Sequence, residues 1–331
     1  MKKIICAILM LTMTVCLFAG CVSGNKEDDS KKEESGAYKI AVVQQLDHPS
    51  MDEIRTAIET RLDKLAEEKK ITVEHKSFSG NNDATLLNQI GAQIVSDRYD
   101  AIIPIGTLAA QCMVTAAEES KIPVIYAAVS DPKTAGLTGV DKVTGTSDAL
   151  NTPFILDMML AVTPEAKTVG LLYSNSEPNS AVPIAEAKAY LDKKGIAYIE
   201  KTGNNSGEII AAAESLVGRV DAVFTPTDNV VMAAESAVAE ILNAAGIAHY
   251  AGADSFVTSG AFATCGVNYT ELGQKTAEMA VDVLQTGSVP EFHVMDGGII
   301  TVNTETAATL KLDFSAFKNM ANTVKEVKTG E

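Results

Sequence analysis

Thr107, Ser130, Glu177, Asn179, Thr227, Asp228, Asn229 and Asp254 are short polar or acidic residues, each just beyond an apolar run. Several sit where a helix would begin. There, free backbone N–H groups and the helix dipole favour an anion such as a carboxylate. Carboxylates nearby would pair with an ammonium. A set offering both signs suits a zwitterion. Taken singly, each of these residues could be an N-cap or a turn former. The set recurs twice in the chain, and that repetition makes a binding cleft the stronger reading.

The elements that must position them come as two copies of one pattern. Gly80-Asn81-Asn82 matches Gly203-Asn204-Asn205, and Asp100-Ala101 matches Asp221-Ala222. The offset runs only from 121 (Asp100 to Asp221) to 129 (Val42 to Leu171). In the first copy, strands are expected over 38–44, 71–78, 101–105 and 123–128. Helices are expected from about Ser50, from Asp83 as N-cap, and from Thr107 through Ala117. In the second copy, strands are expected over 168–173, 196–201, 222–225, 248–252 and 261–266. The helices there end at Gly195, start at a Ser206 cap, and run from Asn229 to Ala245 with Gly246 as the stop. One more helix spans 271–285. Alternating strands and helices imply parallel sheets with right-handed crossovers. The expected fold class is α/β: two similar doubly wound lobes with a hinge and a central cleft. In such sheets ligands bind beyond the carboxyl ends of the strands, where these polar residues lie.

The domain plan has a signal over 1–21 and a flexible tether over 22–37. Lobe 1 covers 38–146 plus about 267–293, and lobe 2 covers 147–266 plus about 294–331. Lys2 and Lys3 precede an uncharged apolar run from Ile4 to Phe18, and Ala19-Gly20-Cys21 follows. That is the layout of a secretory signal. The L-F-A-G-C ending is similar to a bacterial lipobox, which would make Cys21 a lipidated N-terminus anchored at the outer face of a membrane. Residues 22–36 have Val22 as their one large hydrophobe and cannot build a core. Cys6 and Cys16 fall within the signal. That leaves Cys112 and Cys265, read as two buried thiols in preference to a disulfide.

Catalysis finds little support. There is no phosphate-binding glycine loop, no nucleophile elbow and no H-E-x-x-H. His48, His75, His249 and His293 are scattered, and no Cys/His cluster suggests a metal. His75 and His249 fall on strands and read as structural. His48, in the first strand-to-helix loop, could touch a ligand, but it is not among the expected site residues. No cofactor and no catalytic residue is expected. A net charge of −16 argues against nucleic acid as a partner.

The sequence resembles the lipoproteins that bind substrate for ABC transporters, those related to the tryptophan-binding type with the type I periplasmic-binding fold. The resemblance rests on H-P-S-M-D (48–52), A-A-Q (109–111), A-V-S-D-P (128–132) and E-P-N-S (177–180). D-A-V-F-T-P-T-D-N (221–229) and N-Y-T-E-L-G (268–273) complete it. Leu108 stands in G-T-L-A-A where such proteins often have a T-P-A-A-like segment. The resemblance implies a non-enzymatic receptor that closes on a small solute, an amino acid with aromatic ones favoured. It would then deliver the solute to a membrane permease. Thr107 and Ser130 would hold the ligand from lobe 1, and Glu177, Asn179, Thr227, Asp228, Asn229 and Asp254 from lobe 2. Thr107 and nearby N–H groups would take the carboxylate, and Asp254 or Asp228 the ammonium. Aromatic residues make up 5% of the chain, with no Trp, leaving Tyr126 or Phe154 as stacking partners. A sugar or nucleoside receptor of the same fold is the alternative, and an α/β enzyme a more distant one.

Overall fold

Strand β1 (Ala37–Gln44) carries a run, Ile40 to Val43, with no solvent exposure. Such a run fits a strand covered on both faces. The computed structural model describes residues 37–330. Helix α1 (Pro49–Lys69) follows, with Pro49 in its first turn, where the missing N–H costs nothing. Its Ile54, Ile58, Leu62 and Leu65 are buried at helical spacing. Then come β2 (Thr72–Ser79), α2 (Ala84–Ser96), β3 (Ala101–Ile105), α3 (Thr107–Ala117), β4 (Val124–Tyr126) and β5 (Val143–Ser147).

The second series is α4 (Thr152–Val162), β6 (Thr168–Tyr173), α5 (Ala181–Lys194), β7 (Ala197–Thr202) and α6 (Ser206–Glu214). It continues with β8 (Ala222–Thr225), α7 (Asn229–Met232), α8 (Glu235–Ala244), β9 (Ala248–Ala251), α9 (Asp254–Thr258) and β10 (Ala263–Gly266). Helix α10 (Tyr269–Thr286) then returns to α1. The two helices meet closely at Gly273, where a Cβ would lie 2.7 Å from Ala57 Cβ and Ile54 O. The short strand β11 (His293–Val294) joins β5. Last come β12 (Ile299–Asn303), α11 (Thr304–Leu310) and β13 (Thr323–Val327).

One sheet has the order β11-β5-β4-β3-β1-β2 and the other β13-β12-β10-β9-β8-β6-β7. The two-sheet α/β architecture agrees with the sequence. The expectation of purely parallel pairing does not hold at one place: β12 runs antiparallel to β10. The chain returns there from α10 and β11 in the other lobe, so no helix crosses over between β10 and β12 within the same sheet.

The repeat has a physical basis. Asp100 accepts from Lys39 N at 2.8 Å and donates its own N–H to Lys39 O at 2.7 Å. Asp221 accepts from Lys167 N at 2.8 Å and Thr168 N at 2.9 Å, and donates to Thr168 O at 2.8 Å. In each lobe the aspartate thus clamps the first strand to the third. Gly80 and Gly203 serve alike at the end of the second strand: an added Cβ would meet Leu87 Cδ2 at 2.4 Å or Ile209 N at 2.6 Å.

Local details differ from the sequence reading. Helix α6 is capped by Asn205, whose side chain accepts from Glu208 N at 3.0 Å, and Ser206 is already its first helical residue. The helix expected from Asn229 to Ala245 breaks at Ala233–Ala234 into α7 and α8. Beyond the break Glu235 is buried and lies 3.0 Å from His249 Nδ1. Cys112 and Cys265 are both buried and unpaired.

Candidate functional site

The carboxyl ends of both sheets face a shared cavity. From the first lobe it is lined by His48, Ser50, Met51, Ile54, Gly106, Thr107, Ala128, Ser130 and Tyr269, and also by Asp148, which directly follows β5 of the first sheet although the sequence plan puts 147–266 in lobe 2. The second lobe contributes Asn179, Thr227, Asp228, Asn229, Met232, Ala253 and Phe256. Met51, Ile54, Met232 and Phe256 supply apolar wall.

Helix α3 opens onto this space with no cap from its own N-cap residue, Gly106, while Gln45 Oε1 accepts from Leu108 N in its first turn at 3.0 Å. Gly106 has φ +94°, and a Cβ there would lie 2.7 Å from Met51 Cε and 2.8 Å from Gln45 Oε1. Only glycine fits both the conformation and the space. The Thr107 hydroxyl is buried and has no hydrogen-bond partner.

Asp148 is 6% exposed. It accepts from Ser130 Oγ at 3.0 Å and from Tyr269 OH at 3.1 Å. Burial raises its carboxyl above the ordinary range despite those two donors. Ser130 also meets Thr227 Oγ1 across the lobes at 3.2 Å. Asn179 Nδ2 donates to Thr227 O at 2.6 Å, which leaves Asn179 Oδ1 buried and unpartnered.

Of the residues singled out in the sequence, Thr107, Ser130, Asn179, Thr227, Asp228 and Asn229 come together on this cavity. Their situations differ. Asp228 has its oxygens engaged by Ser174 N (2.7 Å), Ser180 Oγ (2.6 Å), Val230 N (3.1 Å) and Val231 N (3.0 Å). It is the cap of α7 and the anchor of the β6 loop. Glu177 stands behind the lining, between Gln45 and Asn229. Burial and the neighbouring Asp228 carboxylate push its carboxyl up to about 7.

Asp254 opens α9 away from the cavity and lines a separate hollow with Glu53, Thr264 and Lys325. Burial, then Glu53, raises its carboxyl. Tyr126 and Phe154 do not line the cavity, and its aromatic residues are Phe256 and Tyr269.

Asp148 was missed in the sequence although it directly follows a strand. The strand itself, V-T-G-T-S, lacks a hydrophobic run. It is buried all the same, with Thr146 bonded to Thr276 at 2.7 Å and Ser147 Oγ donating to Ser130 O at 3.2 Å.

The lobes touch directly around the cavity. His48 Nε2 lies 3.0 Å from Asn229 Oδ1, and Gln45 Nε2 donates to Glu177 Oε1 at 3.1 Å. Ser50 and Ser255 share a hydrogen bond. With Ser130–Thr227, these bonds describe a closed arrangement. Among the described residues, no three His, Cys, Asp or Glu side chains gather as a metal site would need.

Residues 39–327 match the family model described as ABC transporter substrate binding protein. The chain belongs to that family. Its members are extracytoplasmic proteins that bind a small-molecule ligand and deliver it to an ABC permease. Among relatives, a tyrosine-binding protein of Clostridioides difficile (strain R20291) is 32% identical over 345 residues, covering 100% of this chain and 97% of the relative.

A solved ABC domain from Streptococcus pneumonia in complex with L-Trp is 29% identical with a TM-score of 0.80, covering 87% of this chain and 99% of that one. The ligand-free, open structure of a substrate-binding protein with adhesive properties from Clostridium difficile is 33% identical, with a TM-score of 0.66. It covers 88% of this chain and 99% of its own. The structure with the higher identity has the lower TM-score. That ordering fits the direct contacts between the lobes of this substrate-binding protein.

Among the described residues no helix is long and apolar enough to cross a membrane. The signal-like segment and Cys21 lie outside the described residues.

Proposed function

We propose that this protein captures an aromatic α-amino acid between its lobes and hands it on without chemical change. The observation that carries the reading is the set of polar atoms left without partners. His48 Nδ1, Thr107 Oγ1 and Asn179 Oδ1 are buried, unpaired and carried by residues lining the same cavity. Buried polar groups normally have partners, and here a ligand would supply them.

The start of α3, where the Thr107 hydroxyl is unpartnered, suits the ligand carboxylate. Asp148 and Asn179 Oδ1 suit the ammonium. Asp148 replaces Asp228 and Asp254 in that role, because Asp228 is already fully engaged and Asp254 lies elsewhere. Met51, Ile54, Met232 and Phe256 would enclose the side chain. The relatives named for tyrosine, or solved with L-Trp, support the aromatic class. The Ala19-Gly20-Cys21 ending supports attachment to the outer face of the cell membrane through a lipid on Cys21.

A thermal-shift panel of the twenty amino acids, common sugars and nucleosides tests the reading. A ligand at about 100 times its Kd adds about 2.7 kcal/mol to stability, so an aromatic amino acid should stand out. If none of them shifts the melting temperature while a sugar or nucleoside does, the reading is wrong.

A further inference from the structure

Two hydrogen-bonded clusters flank the cavity. One links Asn179, Thr227, Ser130, Asp148 and Tyr269. The other links Leu108, Gln45, Glu177, Asn229 and His48. In the second cluster, with Glu177 ionised as it is above about pH 7, each bond orients the next. The Leu108 N–H can only donate, so it meets Gln45 Oε1, at 3.0 Å. Gln45 therefore turns Nε2 to Asn82 Oδ1 (2.8 Å) and Glu177 Oε1 (3.1 Å). An ionised Glu177 only accepts, so Asn229 presents Nδ2 to it at 2.6 Å. Asn229 Oδ1 is thereby turned to His48 Nε2, at 3.0 Å. An amide oxygen has no proton to give, so His48 Nε2 must carry one.

Burial lowers the His48 pKa and keeps the ring neutral, against the opposing pull of Asn229, Asp52 and Asp47. Nδ1 is then a bare acceptor. It is buried without a partner, on a residue that lines the cavity just before the apolar Met51 and Ile54.

On the proposed function, the ligand's carboxylate cannot donate to this atom. Its ammonium already has Asp148 and Asn179 Oδ1, both in the other cluster. With the ammonium kept at that cluster, a donor on the ligand's side chain is the group that fits Nδ1, although a third ammonium N–H is the competing donor. We infer that His48 Nδ1 is a specificity-determining acceptor that selects aromatic amino acids bearing a ring donor, a phenol O–H or an indole N–H, over phenylalanine. The inference rests on the proposed function but can fail separately from it.

Calorimetric titration of the wild-type protein and His48→Leu with tyrosine, tryptophan and phenylalanine tests it. In the wild type, phenylalanine should bind on the order of 100-fold more weakly than the better of the other two, because it leaves a buried acceptor unpaired. In His48→Leu that ratio should collapse to about threefold or less. Comparing ligands within one variant cancels any general damage to closure.

If wild-type phenylalanine binds within about threefold of the better ligand, the selection is refuted while the aromatic reading stands. If the variant keeps the wild-type ratio, His48 is not its source. If the variant weakens all ligands equally, Nδ1 serves the shared ammonium and the inference falls. Should the variant fail to fold, nitrogen NMR of wild-type His48 decides. Nδ1 should shift upfield, as an accepting nitrogen does, with the ring-donor ligand and not with phenylalanine. An unchanged Nδ1 would overturn the assignment. If no aromatic amino acid binds at all, the proposed function fails first and takes this inference with it.

Discussion

Replacing Glu177 with Gln should make the protein more stable above neutral pH and leave it unchanged in mild acid. Glu177 is 3% exposed and lies beside Asp228, and these surroundings raise its pKa from 4.5 to about 7. A carboxyl with a raised folded-state pKa holds its proton more tightly folded than unfolded. Below about pH 4.5 both states are protonated and the group contributes no pH dependence. Between about 4.5 and 7 the unfolded chain releases its proton first, and stability declines as pH rises.

The difference of about 2.5 pH units, at about 1.36 kcal/mol each, comes to about 3 kcal/mol by pH 8. Gln resembles the protonated carboxyl in charge and shape, including its poor fit to two facing amide donors, Gln45 Nε2 and Asn229 Nδ2. The two proteins should therefore match near pH 4.5, with the variant gaining about 3 kcal/mol by pH 8. Urea unfolding at successive pH values measures this directly. Parallel stability curves for the two proteins would refute the argument, because they would show that Glu177 titrates alike in both states.

Further outcomes are expected. Asp148→Asn should weaken binding of the aromatic ligand by about 30-fold or more, since it leaves a buried ammonium without its counter-charge, whereas Asp254→Asn should leave Kd within about twofold. Wild-type affinity should also fall on acidification from a pH above the usual carboxylate range, because burial raises Asp148, and Asp148→Asn should lose that dependence. Equal Kd values for Asp148→Asn and wild type would remove Asp148 from the site. Separately, Cys21→Ala should abolish incorporation of radiolabelled palmitate and release the protein from the membrane fraction. Continued labelling of the variant would refute lipidation at that residue.

Much of the architecture could be read from the residues that clamp backbone to backbone. Asp100 and Asp221 mark equivalent strand junctions because a carboxylate there meets the N–H groups at the head of the first strand. Asp83 caps α2, accepting from Thr85 N and Leu86 N. Gly195 ends α5 at φ +69°. These devices act over a few residues and leave a local trace. What escaped depends on contacts made far away in the chain. The strand before Asp148 is rich in Thr and Ser, with Thr146 bonded to Thr276 and Ser147 to Ser130 O, so its hydropathy gives no sign of burial. Asp254 and Asp228 looked equivalent to a ligand-binding acid at a strand end. Only the folded chain shows that one is turned to another hollow and the other saturated by four donors.

The same accounting of partners explains why a ligand should favour the closed form. Closing the lobes makes four direct contacts: Gln45–Glu177, His48–Asn229, Ser50–Ser255 and Ser130–Thr227. At about 0.5–1.5 kcal/mol net each, they favour closure by a few kcal/mol. Closure without ligand also buries His48 Nδ1, Thr107 Oγ1 and Asn179 Oδ1 with no partner. Each such atom costs about 1–3 kcal/mol, so the two effects are of similar size and oppose each other. These hydrogen-bond terms alone therefore give the empty protein little net drive to close. A ligand can shift a conformational equilibrium only by its difference in affinity for the two states. Here that difference has a structural origin. A bound amino acid satisfies the central atoms and leaves the contacts between the lobes in place, so it removes the opposing cost and keeps the favourable one.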